Sequence, residues 1–159
     1  MKTPPPRPPG LDHPIVPKVM RLFSQANVWV YRKTGGRLGG KWRVGSAFPH
    51  GVPVLLLTTI GRKSGAKRTT PLLFIEDGER VILVASQGGM PKHPLWYLNL
   101  SNEPQVEVQI GRSVRRMQAR EATPGERDVY WPRLVAHYRD FASYQSWTDR
   151  VIPVVVLEP

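Results

Sequence analysis

Residues 52–76 read Val52-Pro53-Val54-Leu55-Leu56-Leu57-Thr58-Thr59-Ile60-Gly61-Arg62-Lys63-Ser64-Gly65-Ala66-Lys67-Arg68-Thr69-Thr70-Pro71-Leu72-Leu73-Phe74-Ile75-Glu76. An apolar, β-branched run (52–59) meets a turn of glycines and cations and continues as a second such run (69–76). So short a connection pairs its strands antiparallel, because a parallel return needs a crossover of a dozen or more residues. The same grammar repeats downstream. Asp77-Gly78 is a tight-turn pair leading into a strand at 80–85. Val106, Val108 and Ile110 alternate with Glu107 and Gln109, and Gly111-Arg112 turns into a strand at 114–121. Residues 151–157 form a last apolar strand, in which Pro153 calls for an edge or a bulge. The count is about six mostly antiparallel strands.

Helical signals are fewer. Ile15, Val19, Leu22, Phe23, Ala26 and Val30 recur at helical spacing, with Lys18, Arg21 and Gln25 on other faces, until Gly35-Gly36. That apolar stripe either packs on the sheet or lies on a membrane surface through residues 14–33. His93-Pro94 opens a short helix at 95–100. Thr123-Pro124-Gly125-Glu126 is a capping box that starts a helix running toward Tyr138, with Pro132 as a kink. The expected fold is mainly β (α+β): a small closed or half-closed barrel with peripheral helices. Residues 1–13 are Pro-rich and read as a mobile tail, 34–51 as a long basic loop, and 14–159 as one domain.

Bulk properties narrow the chemistry. The chain has 159 residues, 40% of them hydrophobic, enough for one real core. It has no cysteine, which excludes disulfides, thiolate metal sites and Cys nucleophiles. No secretory signal precedes Pro4-Pro5-Pro6, and no apolar run approaches the ~20 residues of a membrane span, so the expected location is the cytoplasm. A formal net charge of +11 attracts anions of several kinds. There is no Gly-x-Gly-x-x-Gly, no Walker A loop and no Gly-x-Ser-x-Gly elbow. The four histidines show no paired spacing, so no metal site is expected.

Four clusters remain. Arg62, Lys63, Lys67 and Arg68, on a turn bounded by Gly61 and Gly65 and flanked by threonines, form either an anion cradle or a solvated hairpin tip. Ala85-Ser86-Gln87-Gly88-Gly89 lets a flat ring approach the backbone, with Ser86 able to hydrogen-bond it. Trp96, Tyr97 and Asn99 share the short helix that follows Pro94. Tyr138, Phe141, Tyr144 and Trp147 recur about every third residue, as one wall of an apolar pocket or as plain core.

Together these motifs resemble the deazaflavin-dependent nitroreductase and quinone reductase family: residues 58–65 with Arg68 and Pro71-Leu72, residues 85–89, residues 94–100, and residues 144–153. The resemblance runs from about residue 20 to the end. It implies a split β-barrel, as in flavin reductases and pyridoxamine phosphate oxidases. It implies coenzyme F-420, an 8-hydroxy-5-deazaflavin with a phosphodiester and an oligoglutamate tail, which moves a hydride. By that resemblance Arg62, Lys63 and Arg68 hold the phosphate end. Thr70, Pro71, Ala85, Ser86, Gln87, Gly88, Gly89, Pro94, Trp96, Tyr97 and Asn99 border the coenzyme. Leu73, Phe141 and Trp147 line the acceptor pocket, and Tyr138, Tyr144 and Ser86 are the candidate catalytic groups. The acceptor is a hydrophobic molecule such as a menaquinone-like quinone, an enone or a nitro compound. Gln87 stands where a lysine is common, and Leu73 and Phe141 where the nitroimidazole-reducing member has tyrosines. The family's membrane association draws attention to helix 14–33, and split barrels often form homodimers. This reading expects no nucleic-acid partner. The alternatives are an FMN-binding flavoprotein of the same fold, a carrier that only stores the deazaflavin, and a basic nucleic-acid-binding module using Arg62, Lys63, Lys67, Arg68, Arg112, Arg115 and Arg116.

Overall fold

The computed structural model describes residue 3, residues 5–10 and residues 13–159. Of the expected mobile tail, residues 1, 2, 4, 11 and 12 lie outside the described residues.

The 52–76 hairpin forms as β2 (Val52–Ile60) and β3 (Lys67–Leu73), antiparallel from Val54 opposite Leu73 to Ile60 opposite Lys67. The run expected at 69–76 is not one strand. Phe74 turns into the core, and the chain resumes as β4 (Ile75–Asp77). This bend leaves β3 on β2 and delivers β4 to β5 (Arg80–Val84). With a two-residue β1 (Lys41–Trp42) the described residues hold eight strands, against about six expected. The others are β6 (Gln105–Ile110), β7 (Ser113–Glu121) and β8 (Val154–Glu158). Their order is β1-β2-β6-β7-β8-β5-β4, with β3 also on β2 and every pairing antiparallel. Strand β3, paired to β2, and strand β4, at the far end of that order, are successive parts of one segment bent at Phe74, so the sheet curls on itself into a split barrel.

Strand β8 lies between β7 and β5, and Val154, Val155, Val156 and Leu157 are all buried, as a strand covered on both faces requires. Pro153 is therefore neither on an edge nor in a bulge. It precedes the first strand residue, where its missing N–H costs no ladder bond, and its carbonyl accepts the Ala85 N–H at 2.9 Å. Leu55, Leu57, Leu83, Val108 and Leu157 fill the barrel. Ile82, Val154 and Val156 face outward, under helix α3 (Pro124–His137) and helix α4 (Asp140–Ser146). The capping box at the start of α3 is closed: Thr123 Oγ1 accepts the Glu126 N–H, and Glu126 accepts the Thr123 N–H. Helix α3 continues through Pro132. Helix α4 follows after two residues and was not foreseen as a helix, although the three-residue aromatic spacing is its signature.

Helix α1 (Ile15–Thr34) forms where expected and ends on Gly35 in the left-handed conformation. Its burial differs from the reading that packed the apolar stripe on the sheet. The residues it buries are Val28 and Tyr31, against Leu56 on the outer face of β2. Ile15, Val19, Leu22 and Phe23 face outward, Phe23 with 74% of its surface exposed. No helix among the described residues is long and apolar enough to cross a membrane. Helix α2 (Leu95–Asn102) seals one end of the barrel with Trp96 and Leu100.

Candidate active site

The cation-rich turn closes on itself. Gly61 N–H donates to the Ala66 carbonyl at 2.8 Å, and Gly65 N–H returns to the Gly61 carbonyl at 2.7 Å with Gly65 at φ +69°. Arg62, Lys63, Lys67 and Arg68 are all exposed, and none joins an ion pair among the described residues. Thr58 and Thr69 pair through their hydroxyls at 2.8 Å, and Arg32 of α1 donates to Thr69 at 3.0 Å. Thr70 and Pro71 follow on β3, half-buried; proline is tolerated on this strand because, among the described residues, β3 pairs with β2 alone.

Asn99 ties this turn to α2. It is buried, accepts the Arg62 N–H at 3.2 Å, and donates to Thr59 Oγ1 at 3.2 Å. The side chain thus sits behind the turn and sets its conformation. Tyr97, two residues earlier, donates to Glu121 at 2.8 Å, and burial together with that carboxylate raises its pKa to about 12. Its ring lies 4.9 Å from that of His93. Pro94 is buried, and Trp96 and Ala85 have their side chains in the barrel core.

The glycine-rich turn leaves the end of β5. Gln87, Gly88 and Gly89 have φ of +44°, +61° and +74°. Such values are easy for glycine and strained for glutamine. A Cβ at Gly89 would stand 2.6 Å from the Tyr144 carbonyl, so only glycine lets this turn touch α4. A Cβ at Gly88 would meet nothing within 4 Å. Ser86 is buried at the start of the turn, and Gln87 is exposed.

The late aromatics gather as one wall of rings. Tyr138, Phe141 and Tyr144 lie in one cluster with Leu73, and Trp147 stacks 5.5 Å from Tyr144. The Tyr138 and Tyr144 hydroxyls are 3.3 Å apart. Tyr138 is buried and also accepts from Trp42 Nε1 at 3.4 Å; Tyr144 is half-buried. Burial is the first cause that raises both phenol pKa values. Trp42 arrives on the basic loop, which a latch holds down: Asp140 accepts the Ser46 N–H at 3.0 Å, and Ser46 Oγ accepts the Asp140 N–H at 3.3 Å. The Trp147 indole N–H donates to the Pro5 carbonyl at 2.8 Å, so the described part of the tail reaches this wall.

Trp42, Asp140 and Glu121 escaped sequence reasoning, and Arg150 entered it only as part of the 144–153 motif, with no role of its own. None carries a periodic or spaced signal, and each gains its meaning from a contact distant in the chain.

A cation-bearing turn, a glycine-rich turn and an aromatic wall thus lie together on one split barrel. Residues 23–159 match the sequence profile of the family described as F420H(2)-dependent quinone reductase, and the chain belongs to that family. A Mycobacterium tuberculosis protein, Rv3178, provisionally named an F420H(2)-dependent quinone reductase, is 47% identical over 117 residues, which are 74% of this chain and 98% of that one. A solved structure described as an F420-H2 dependent reductase is 46% identical, with a TM-score of 0.63 over 67% of this chain and 94% of its own. Another, described as a domain-swapped dimer, is 36% identical, with a TM-score of 0.64 over 91% of this chain and 96% of its own.

Proposed function

We propose that this chain is an oxidoreductase that holds reduced coenzyme F-420 and passes its hydride to a hydrophobic quinone of the menaquinone type, with enones or nitro compounds as lesser acceptors. One observation carries the reading, a continuous chain of contacts: Arg62 bonds Asn99 of α2, Tyr97 of α2 stacks near His93, Arg150 bonds both His93 and the Ser86 carbonyl, and Gly89 packs on the Tyr144 backbone, so the cation turn, the glycine turn and the aromatic wall are connected. The residues fit the coenzyme. Four exposed cations suit a phosphodiester and carboxylates strung along a groove, and the open side of Gly88 leaves room beside the backbone. When bound, F-420 supplies a two-electron hydride donor.

The chain's own residues bind, orient and protect. Arg62, Lys63 and Arg68 grip the anionic end, with Asn99 fixing the turn that bears them. Ser86 and the Gln87–Gly89 backbone would border the ring, beside Tyr97. Leu73, Phe141 and Trp147 offer apolar surface to the acceptor. Both phenols stay protonated at neutral pH because burial disfavours the phenolate. Tyr138 is occupied by Trp42 and by the Val44 carbonyl at 3.4 Å, so Tyr144 is the freer donor to an acceptor oxygen. FMN, with one compact phosphate, uses less of so extended a row of cations.

Titration of the purified chain with oxidised F-420, with FMN in parallel, tests the reading. Binding of the deazaflavin in preference to FMN, with oxidation of the reduced coenzyme by a menaquinone analogue, is the expected result. FMN binding in its place would move the barrel to ordinary flavin chemistry, and binding of neither would return the basic surface to nucleic acid.

The outward apolar stripe of α1, interleaved with Lys18 and Arg21, supports a peripheral contact with anionic membrane on the cytoplasmic side, where lipid-soluble quinones reside. The domain-swapped relative supports a homodimer as the assembly.

A further inference from the structure

Arg150 follows α4 in the chain and is half-buried, yet no carboxylate partners its guanidinium among the hydrogen bonds and ion pairs of the described residues. It faces carbonyls instead. Nε donates to the Met90 carbonyl at 2.9 Å, one terminal nitrogen to the Ser86 carbonyl at 2.8 Å, and the other to the Ala85 carbonyl at 3.2 Å. That last nitrogen also stands 3.2 Å from His93 Nδ1. Because a guanidinium only donates, Nδ1 must be the acceptor, which leaves the ring proton on Nε2. Burial first, and then the adjacent Arg150 charge, lower the His93 pKa, in keeping with a neutral ring.

The three carbonyls bracket the glycine-rich turn: Ala85 and Ser86 lead into it and Met90 leaves it. Inside the bracket stand the three consecutive positive φ values, one of them on a non-glycine residue. A turn so strained persists only when its surroundings over-determine it. Arg150 is itself held, because Gln145 of α4 donates to its carbonyl at 2.8 Å and accepts the Ile152 N–H at 2.9 Å.

We infer that Arg150 is a positioning residue for the coenzyme: it pins both ends of the 85–90 turn and fixes the orientation of His93, so that the turn is preformed for the deazaflavin. This rests on the F-420 reading above. The planar fork is essential, because a lysine ammonium is a single point that cannot reach carbonyls at both ends of the turn. The turn itself offers no permanent charge that could replace it.

The test compares wild type, Arg150→Gln, Arg150→Lys and Arg127→Gln. Arg127 is a fair control: it donates to the Ile152 carbonyl and to Gln145 nearby but does not touch the turn. Binding of oxidised F-420 is followed by fluorescence, the melting midpoint is recorded for each variant, and KM for reduced F-420 and for a menaquinone analogue are measured separately. Arg150→Gln is expected to weaken F-420 binding at least tenfold and to raise the coenzyme KM alike, with the quinone KM within twofold of wild type. Arg150→Lys falls between the two. Arg127→Gln lowers the midpoint while retaining wild-type F-420 affinity. Unchanged affinity in folded Arg150→Gln or Arg150→Lys overturns the inference, as does an equal loss in Arg127→Gln. Failure of the wild-type chain to bind F-420 would instead overturn the cofactor reading and this inference with it.

Discussion

At the scale of single residues, the site is ordered by hydrogen bonds that no local pattern announces. Asn99 was expected beside the coenzyme; its amide is split between the Arg62 N–H and Thr59, behind the cation turn. Its type was informative because a buried amide on an apolar helix demands partners. Which partners it finds depends on the fold. The two tyrosines separate in the same way. Tyr138 and Tyr144 look equivalent in sequence, yet one is enclosed by Trp42 and the Val44 carbonyl while the other keeps exposed surface. Tyr144→Phe is therefore expected to lower kcat with a quinone roughly tenfold or more, the scale of one positioned proton donor. Tyr138→Phe should act on stability, by about 1 kcal/mol for a lost buried hydrogen bond. Steady-state turnover and urea denaturation of both variants check this, and a larger kcat loss in Tyr138→Phe would reverse the assignment.

At the scale of elements, α1 separates what periodicity can and cannot say. Its spacing gave the helix and its end at Gly35, and composition gave the amphipathic face. Periodicity does not say what that face meets. Leu22 and Phe23 are 67% and 74% exposed, so replacing both by aspartate removes little buried area and should leave the melting midpoint within about a degree or two. The same double variant should lose co-sedimentation with vesicles containing anionic phospholipid, while wild type sediments and is released by salt. Wild type that ignores such vesicles, and shows in light scattering a dimer that the double variant does not form, would assign the stripe to a second copy. The β3–β4 strand shows the same boundary. Composition gave a run through 69–76, but the bend at Phe74 is set by barrel curvature, which only the closed sheet imposes.

At the scale of the whole molecule, the net charge of +11 is unevenly used. Acids are paired away from the cradle: Glu126 and Glu158 bind Arg120 and Arg80, and Asp77 binds Arg133, joining β4, β5, β7, β8 and α3. The cations of the 61–68 turn stay exposed to an anionic ligand. The Arg120 guanidinium first, and the Thr123 N–H next, hold the Glu126 carboxyl at a pKa of about 2, below its ordinary 4.5. A folded pKa below the unfolded one means that the unfolded chain binds more protons between the two values. The stabilisation is thus complete above about pH 5 and is lost as pH falls from 4.5 toward 2. Glu126→Gln should melt lower than wild type at pH 7, and the gap should close across that acid window. A gap that persists unchanged at pH 2 would mean that Glu126 acts through packing alone.

The sequence by itself determined the antiparallel class, the hairpin around Gly61–Ala66, the capping box, the helix at 15–34 and the family. Each of these follows from local backbone preference, from period, or from motifs contiguous in the chain. The closure of the barrel through one bent strand and the burial of β8 on both faces were decided only by the tertiary structure. So were the outward stripe of α1 and the carbonyl clamp of Arg150 on residues 85–90. The physical reason is that burial and hydrogen-bond satisfaction are properties of neighbours in space. A guanidinium or a strained glutamine acquires its role when a partner some sixty residues away arrives beside it.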